Sequence, residues 1–99
     1  MMSKIGFETN KRAKHEILHG KNISGGDPEL IWGWKTPAGQ YRAKRIAQLI
    51  AQSACLGPGV HVLEIGCGTG IFTEIFAQTG ADIVAVDISK EFLEIARAK

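Results

Sequence analysis

Residues 61–72 read HVLEIGCGTGIF, an apolar run that ends in glycines at alternate positions. No other stretch limits the fold of this chain as strongly. Residues 60–65 are short, apolar and rich in β-branched side chains, which predicts a buried strand. Residues 66–70 then predict a turn. Glycine is needed there for backbone dihedrals and a closeness of approach that a Cβ would forbid. A glycine-rich turn after a strand commonly cradles a nucleotide-like ligand.

The pattern continues past the turn. Residues 71–78 predict a helix with Ile71, Phe72, Ile75 and Phe76 facing inward and Gly80 closing it. Residues 83–86 predict a second apolar strand that ends at Asp87. Ser89 can cap a last helix whose inner face is Phe92, Ile95 and Ala96. Strand, turn, helix, strand and helix make a βαβ unit plus one helix, with parallel strands and a right-handed crossover. Parallel sheets are normally larger and covered on both faces. The expectation is therefore the front part of a larger α/β domain.

Upstream the signals are more mixed. Residues 1–22 are polar and basic, with a short helix expected to end at Gly20. Residues 23–35 hold Gly, Pro and both tryptophans and predict an irregular segment. A helix then starts with Thr36 as N-cap and Pro37 in the first turn. Its apolar face is Ala43, Ile46, Ala47, Leu49, Ile50 and Ala54, and the Gly-Pro-Gly at 57–59 stops it.

Composition narrows the class. A chain of 99 residues makes at most one small domain, and 44% apolar with 22% charged residues fits a globular protein rather than a disordered one. Basic side chains concentrate before residue 60 and acidic ones after it. A solvated basic face is the plain reading; contact with an anionic substrate or nucleic acid is the sharper one. Cys55 and Cys67 lack C-x-x-C spacing, so neither a disulfide framework nor a metal site is expected, and a reducing cytoplasm is the default. The first residues lack the apolar core of a signal peptide, and no apolar run reaches the roughly 18 residues of a membrane span.

Which ligand the turn suits is decided by its neighbours. Asp87 lies 21 positions after Gly66, where an acidic residue takes the ribose hydroxyls of a bound nucleotide. Its carboxylate would repel a 2′-phosphate. The dinucleotide fingerprint G-x-G-x-x-G would put its third glycine at position 71, which is Ile; here the third glycine is Gly70. Glu64, at the end of a buried strand, is costly unless paired. A pyrophosphate would be a poor neighbour for it. A ligand with an ammonium and a sulfonium would be a good one.

The stretches VLEIGCGTG and VAVDIS resemble motif I and the acidic strand end of class I S-adenosylmethionine-dependent methyltransferases. The preceding helix ending in LGPG is similar to that family's front helix. WGWKTPAGQYRAKRIAQLI looks like the leading segment of small-molecule methyltransferases of the ubiquinone/menaquinone-biosynthesis type. The resemblance implies an α/β Rossmann-like fold, present as its N-terminal portion: leading helices plus βαβα. Residues 36–99 would be the first part of the domain that binds S-adenosyl-L-methionine, and residues 1–35 an extension, with a lid as its sharper reading. Gly66, Cys67 and Gly68 would lend backbone around the methionine and nucleoside, with Gly70 completing the glycine pattern. Glu64 would orient the loop and reach the methionyl ammonium, directly or through water. Asp87 would bind the ribose, and Ile88 would pack on adenine. The substrate-side residues of the family follow its third and fourth strands, so catalytic residues are unassigned and the 99 residues alone are expected not to catalyse. A small-molecule methyl acceptor is the expected partner, and an uncovered strand edge favours self-association. An NAD-linked oxidoreductase and a non-catalytic binding module are the alternatives.

Other motifs carry less. HEILH at 15–19 matches the H-E-x-x-H zinc signature, but Lys11, Arg12 and Lys14 flank it and Gly20 follows at once. Two surface histidines on a solvated helix are expected, and no metal. Cys67 has no histidine near it in sequence and holds a backbone position, which argues against a nucleophile. Trp32 and Trp34 would point to opposite sides of an extended segment, as core or interface anchors or as a lid over the cofactor. His61 is expected at the surface.

Overall fold

The structure, a computed structural model, describes residues 11–24 and 26–99. In chain order the elements are α1 (Lys11–Ser24), α2 (Pro28–Ile31), α3 (Pro37–Ser53), β1 (His61–Ile65), α4 (Ile71–Ala77), β2 (Asp82–Val86) and α5 (Lys90–Arg97). The two strands pair in parallel, with Val62 opposite Ile83 and Glu64 opposite Ala85. The expected βαβ unit with a following helix is therefore formed. No helix among the described residues is long and apolar enough to cross a membrane. What was expected of residues 1–10 lies outside the described residues.

Alternation along the strands sorts the layers. Val62, Glu64, Ile83 and Ala85 share one face. Glu64 meets Thr73 of α4, and Ala85 packs with Cys67 and the fully buried Leu93 of α5. Both helices thus cover this face. On the other face Leu63 is 62% and Ile65 79% exposed, and no described element covers them.

Local chemistry sets the helix starts. Thr36 accepts the amide of Gly39 at 2.9 Å, and Ser89 accepts that of Phe92 at 3.2 Å. Both caps agree with the sequence. Three expectations are corrected. α1 does not end at Gly20 but runs through it, because Gly20 is a packing position: a Cβ there would stand 2.6 Å from the hydroxyl of buried Ser89. Residues 23–35 are not wholly irregular, since Asp27 caps α2 by accepting the amides of Glu29 and Leu30. On α3 only Gly39, Ala43 and Ala47 are buried, whereas Ile46, Leu49 and Ile50 remain more than two-fifths exposed. The buried positions of α3 are thus its small residues, with Gly39 set against the Gly33 carbonyl of the preceding turn, and α3 also contacts α4.

Candidate functional site

The glycine loop begins where the strands stop. Gly66 and Cys67 both donate their amides to the Val86 carbonyl, at 2.8 and 3.0 Å, tying the end of β1 to the end of β2. Gly66, Gly68 and Gly70 all have positive φ, at 77°, 58° and 85°. Only glycine takes such values without strain, so the alternation has a direct conformational cause. Gly70 also packs on Ala96 of α5, where a Cβ would come within 3.1 Å.

Asp87 organises this loop. Its Oδ2 accepts the Gly68 amide at 2.8 Å and its Oδ1 accepts the Ser89 amide at 2.7 Å. An ionised carboxylate has about four acceptor sites, so each oxygen keeps capacity for a further donor. The carboxylate therefore fastens the loop and the start of α5 while still facing open space.

That space is a cavity of about 730 Å³. Gly66, Cys67, Gly68, Asp87 and Ile88 all line it. Glu64 and Gly70 do not. Glu64 belongs to the helix-covered face of β1, where its Oε1 accepts the Thr73 hydroxyl at 2.6 Å. Its carboxylate thus fixes α4 to the strand, while Ile65, one residue on, reaches the cavity.

Both tryptophans line the cavity as well. They do not diverge as an extended segment would require, because residues 32–35 form a turn. Trp32 meets Phe92 edge-on with centroids 5.1 Å apart, and Trp34 meets Phe72 edge-on at 5.5 Å. Arg42 of α3 stands over the Trp34 ring at 5.4 Å. Such contacts contribute roughly 0.5–1.5 kcal/mol each beyond burial. The leading segment is thereby a wall of the cavity.

Electrostatics around the cavity lean acidic. Asp87 and Glu16 line it, and no lysine or arginine does among the described residues. His15 and His19 are exposed, as expected of a solvated helix, but Glu16 and His19 also reach the cavity mouth, which the sequence did not indicate. Burial, then the nearby Asp87 and Glu64 carboxylates, push the Cys67 thiol up to about 11, which argues against a nucleophilic role. Its place in the loop comes from packing against Ala85 and Leu93.

Burial raises the Glu64 carboxyl above its ordinary range, and the Thr73 hydrogen bond only partly offsets this. The native state then holds the Glu64 proton more tightly than the unfolded chain does. Stability falls as pH rises from the ordinary glutamate range through the raised native value. Glu64→Gln keeps an oxygen for Thr73 and removes the poorly solvated charge. Its thermal midpoint should exceed that of the unchanged protein near neutral pH, with the gap closing toward about pH 4. Parallel stability curves across that range would refute the assignment.

Sequence reasoning also missed Glu29 and Thr69. Thr69 is 1% exposed and its hydroxyl donates to Glu29 Oε2 at 2.8 Å. The signal was present in Asp27-Pro28-Glu29, a cap followed by proline in the first turn.

Comparison with known proteins places this geometry. The family model of a methyltransferase domain matches residues 62–99. A ubiquinone biosynthesis O-methyltransferase of Coxiella burnetii is 32% identical over 74 residues, which covers 70% of this chain and 31% of that protein. The magnesium-protoporphyrin O-methyltransferase of Rhodobacter capsulatus is 51% identical over 39 residues, covering 39% of this chain and 17% of that one. A ubiquinone biosynthesis O-methyltransferase of Xanthomonas campestris pv. campestris is 42% identical over 40 residues, covering 40% and 17%. The chain spans less than a third of the length of these relatives. Parallel strands, the glycine loop, the acidic end of β2 and these likenesses together support a class I S-adenosylmethionine-dependent methyltransferase domain over residues 62–99.

Proposed function

We propose that the cavity holds S-adenosylmethionine and that the protein transfers its methyl group to a small-molecule acceptor. One observation carries the reading: Asp87, the glycine-loop residues Gly66, Cys67 and Gly68, and Ile88 surround a single cavity whose charged lining side chains are acidic. The spare acceptor capacity of Asp87 suits two ribose hydroxyls. Gly66 and Gly68 leave room for close approach of the methionyl and nucleoside parts, since a Cβ on Gly66 would meet nothing within 4 Å. Ile88 offers an apolar surface to adenine. Glu64 acts by fixing β1 to α4 through the Thr73 hydroxyl. A dinucleotide fits less well. Its two phosphates would find no lysine or arginine on the described wall, and Ile71 lines the cavity where a third glycine would be needed.

When bound, S-adenosylmethionine supplies a sulfonium methyl that an acceptor lone pair takes in line, the carbon–sulfur bonding electrons returning to sulfur. The residues of this chain contribute positioning. Trp32, Trp34, Phe72 and Phe92 exclude water and present flat apolar faces. The relatives are named as O-methyltransferases, so an acceptor oxygen on a flat apolar molecule is the class we favour.

The chain has only two tryptophans, and both line the cavity. Titration with S-adenosylhomocysteine should therefore change the intrinsic emission saturably. Emission that stays constant through a titration to millimolar ligand would sink the proposal.

A further inference from the structure

We propose that Glu29 is a positioning residue for the glycine loop: its carboxylate holds Thr69 and so fixes the loop in the shape that receives the cofactor. The inference rests on the cofactor reading above, yet it concerns a residue outside the matched stretch 62–99.

The loop has little stiffness of its own. Thr69 sits between Gly68 and Gly70, both at positive φ and both free to take many other conformations. An anchor on Thr69 therefore decides more than it would in a stiffer segment. The Thr69 side chain is turned inward, fully buried, and its hydroxyl donates to Glu29 Oε2 at 2.8 Å. Lys99 Nζ donates to the same oxygen at 2.8 Å. The Glu29 side chain is only 16% exposed, a costly place for a carboxylate without such donors. Burial works to raise its pKa, but the hydrogen bonds from Lys99 and Thr69 outweigh this and keep Glu29 ionised at neutral pH.

Glu29 is itself held rigidly. Asp27 accepts the Glu29 amide at 3.1 Å, and the Glu29 carbonyl accepts the Trp34 amide at 2.8 Å. One continuous set of contacts therefore runs from the cap of α2, through Glu29, to the loop and to Trp34. The same residue ties the aromatic wall and the glycine loop together. A change at Glu29 should reach the cavity although Glu29 does not line it.

The test compares Glu29→Ala, Glu29→Gln, Thr69→Val, Thr69→Ser and Lys99→Met in the otherwise unchanged protein, well below each thermal midpoint. Two quantities are read. One is hydrogen exchange of the Gly68 and Gly70 amides, which are bonded to Asp87 Oδ2 and the Cys67 carbonyl in the free protein. The other is affinity for S-adenosylhomocysteine. Glu29→Ala and Thr69→Val should speed exchange by roughly tenfold and weaken binding by roughly ten- to a hundredfold, the range of one hydrogen bond to a charged group. Combining them should add little, because both break the same contact. Thr69→Ser and Glu29→Gln keep a donor and an acceptor and should restore both readouts to within about threefold. Lys99→Met, which loses the ion pair but keeps the Thr69 bond, should lower the thermal midpoint more than it changes the loop. Additive losses in the double variant would overturn the proposal. So would unchanged exchange in Glu29→Ala, or Lys99→Met matching Glu29→Ala in both readouts. Should the unchanged protein fail to bind S-adenosylhomocysteine, the cofactor reading falls, and the exchange comparison still decides the role of Glu29.

Discussion

Asp87→Ala should lower affinity for S-adenosylhomocysteine by roughly a hundredfold or more, the largest binding effect expected of a single substitution in this chain. Two losses combine. The ribose hydroxyls lose a charged acceptor, at about 1.5–3 kcal/mol for a hydrogen bond of that kind. The Gly68 and Ser89 amides also lose the oxygens that hold them at 2.8 and 2.7 Å, so the loop and the start of α5 loosen together. Asp87→Asn separates the two contributions. It keeps one oxygen acceptor and should lose roughly tenfold. Calorimetric titration of both variants, with circular dichroism to confirm folding, supplies the check. Unchanged affinity in folded Asp87→Ala would remove Asp87 from the site.

Gly39→Ala carries the largest expected cost in stability. In an exposed helix that substitution gains up to about 1 kcal/mol, because alanine is the better helix former. Here the new methyl would stand 1.8 Å from the Gly33 carbonyl oxygen and 2.9 Å from its carbon. Both are backbone atoms of the turn that carries Trp32 and Trp34, so α3 and the turn must part. Overpacking of this kind costs about 1–3 kcal/mol or more. For a chain of this size the thermal midpoint should fall by roughly 10 °C. Gly57→Ala is the control. Its added methyl would meet no atom within 4 Å, so its midpoint should hold or rise slightly. A Gly39→Ala midpoint equal to that of Gly57→Ala would contradict the packing described for α3.

Elements whose cause is local could be read from the sequence. Thr36 and Ser89 cap helices by their own hydroxyls, and the glycines of 66–70 need positive φ whatever surrounds them. Elements whose cause is a distant partner could not. Gly20 looks like a helix stop until Ser89 is found against it. Leu93 falls outside the inner face read from periodicity, yet it is fully buried against Ala85 and Cys67. The periodic face of α3 named six apolar residues, but of these only the small Ala43 and Ala47 are buried, and Ile46, Leu49 and Ile50 stay exposed.

The site divides in the same way. Asp87, Gly66, Gly68 and Ile88 were indicated by spacing and resemblance, and the structure brings them to one cavity. Glu64 was indicated too, but strand alternation turns it to the α4 face, beside Thr73. The convergence of Trp32 and Trp34 was hidden, since it depends on a turn held by Gly39 and Glu29.

The central claim is that the glycine loop and Asp87 form a site for S-adenosylmethionine and not for a dinucleotide. Parallel calorimetric titrations with S-adenosylhomocysteine and NAD test it most directly. Saturable binding of S-adenosylhomocysteine is expected, abolished or strongly weakened by Asp87→Ala, with no heat of binding from NAD. Saturable NAD binding with no response to S-adenosylhomocysteine would contradict it.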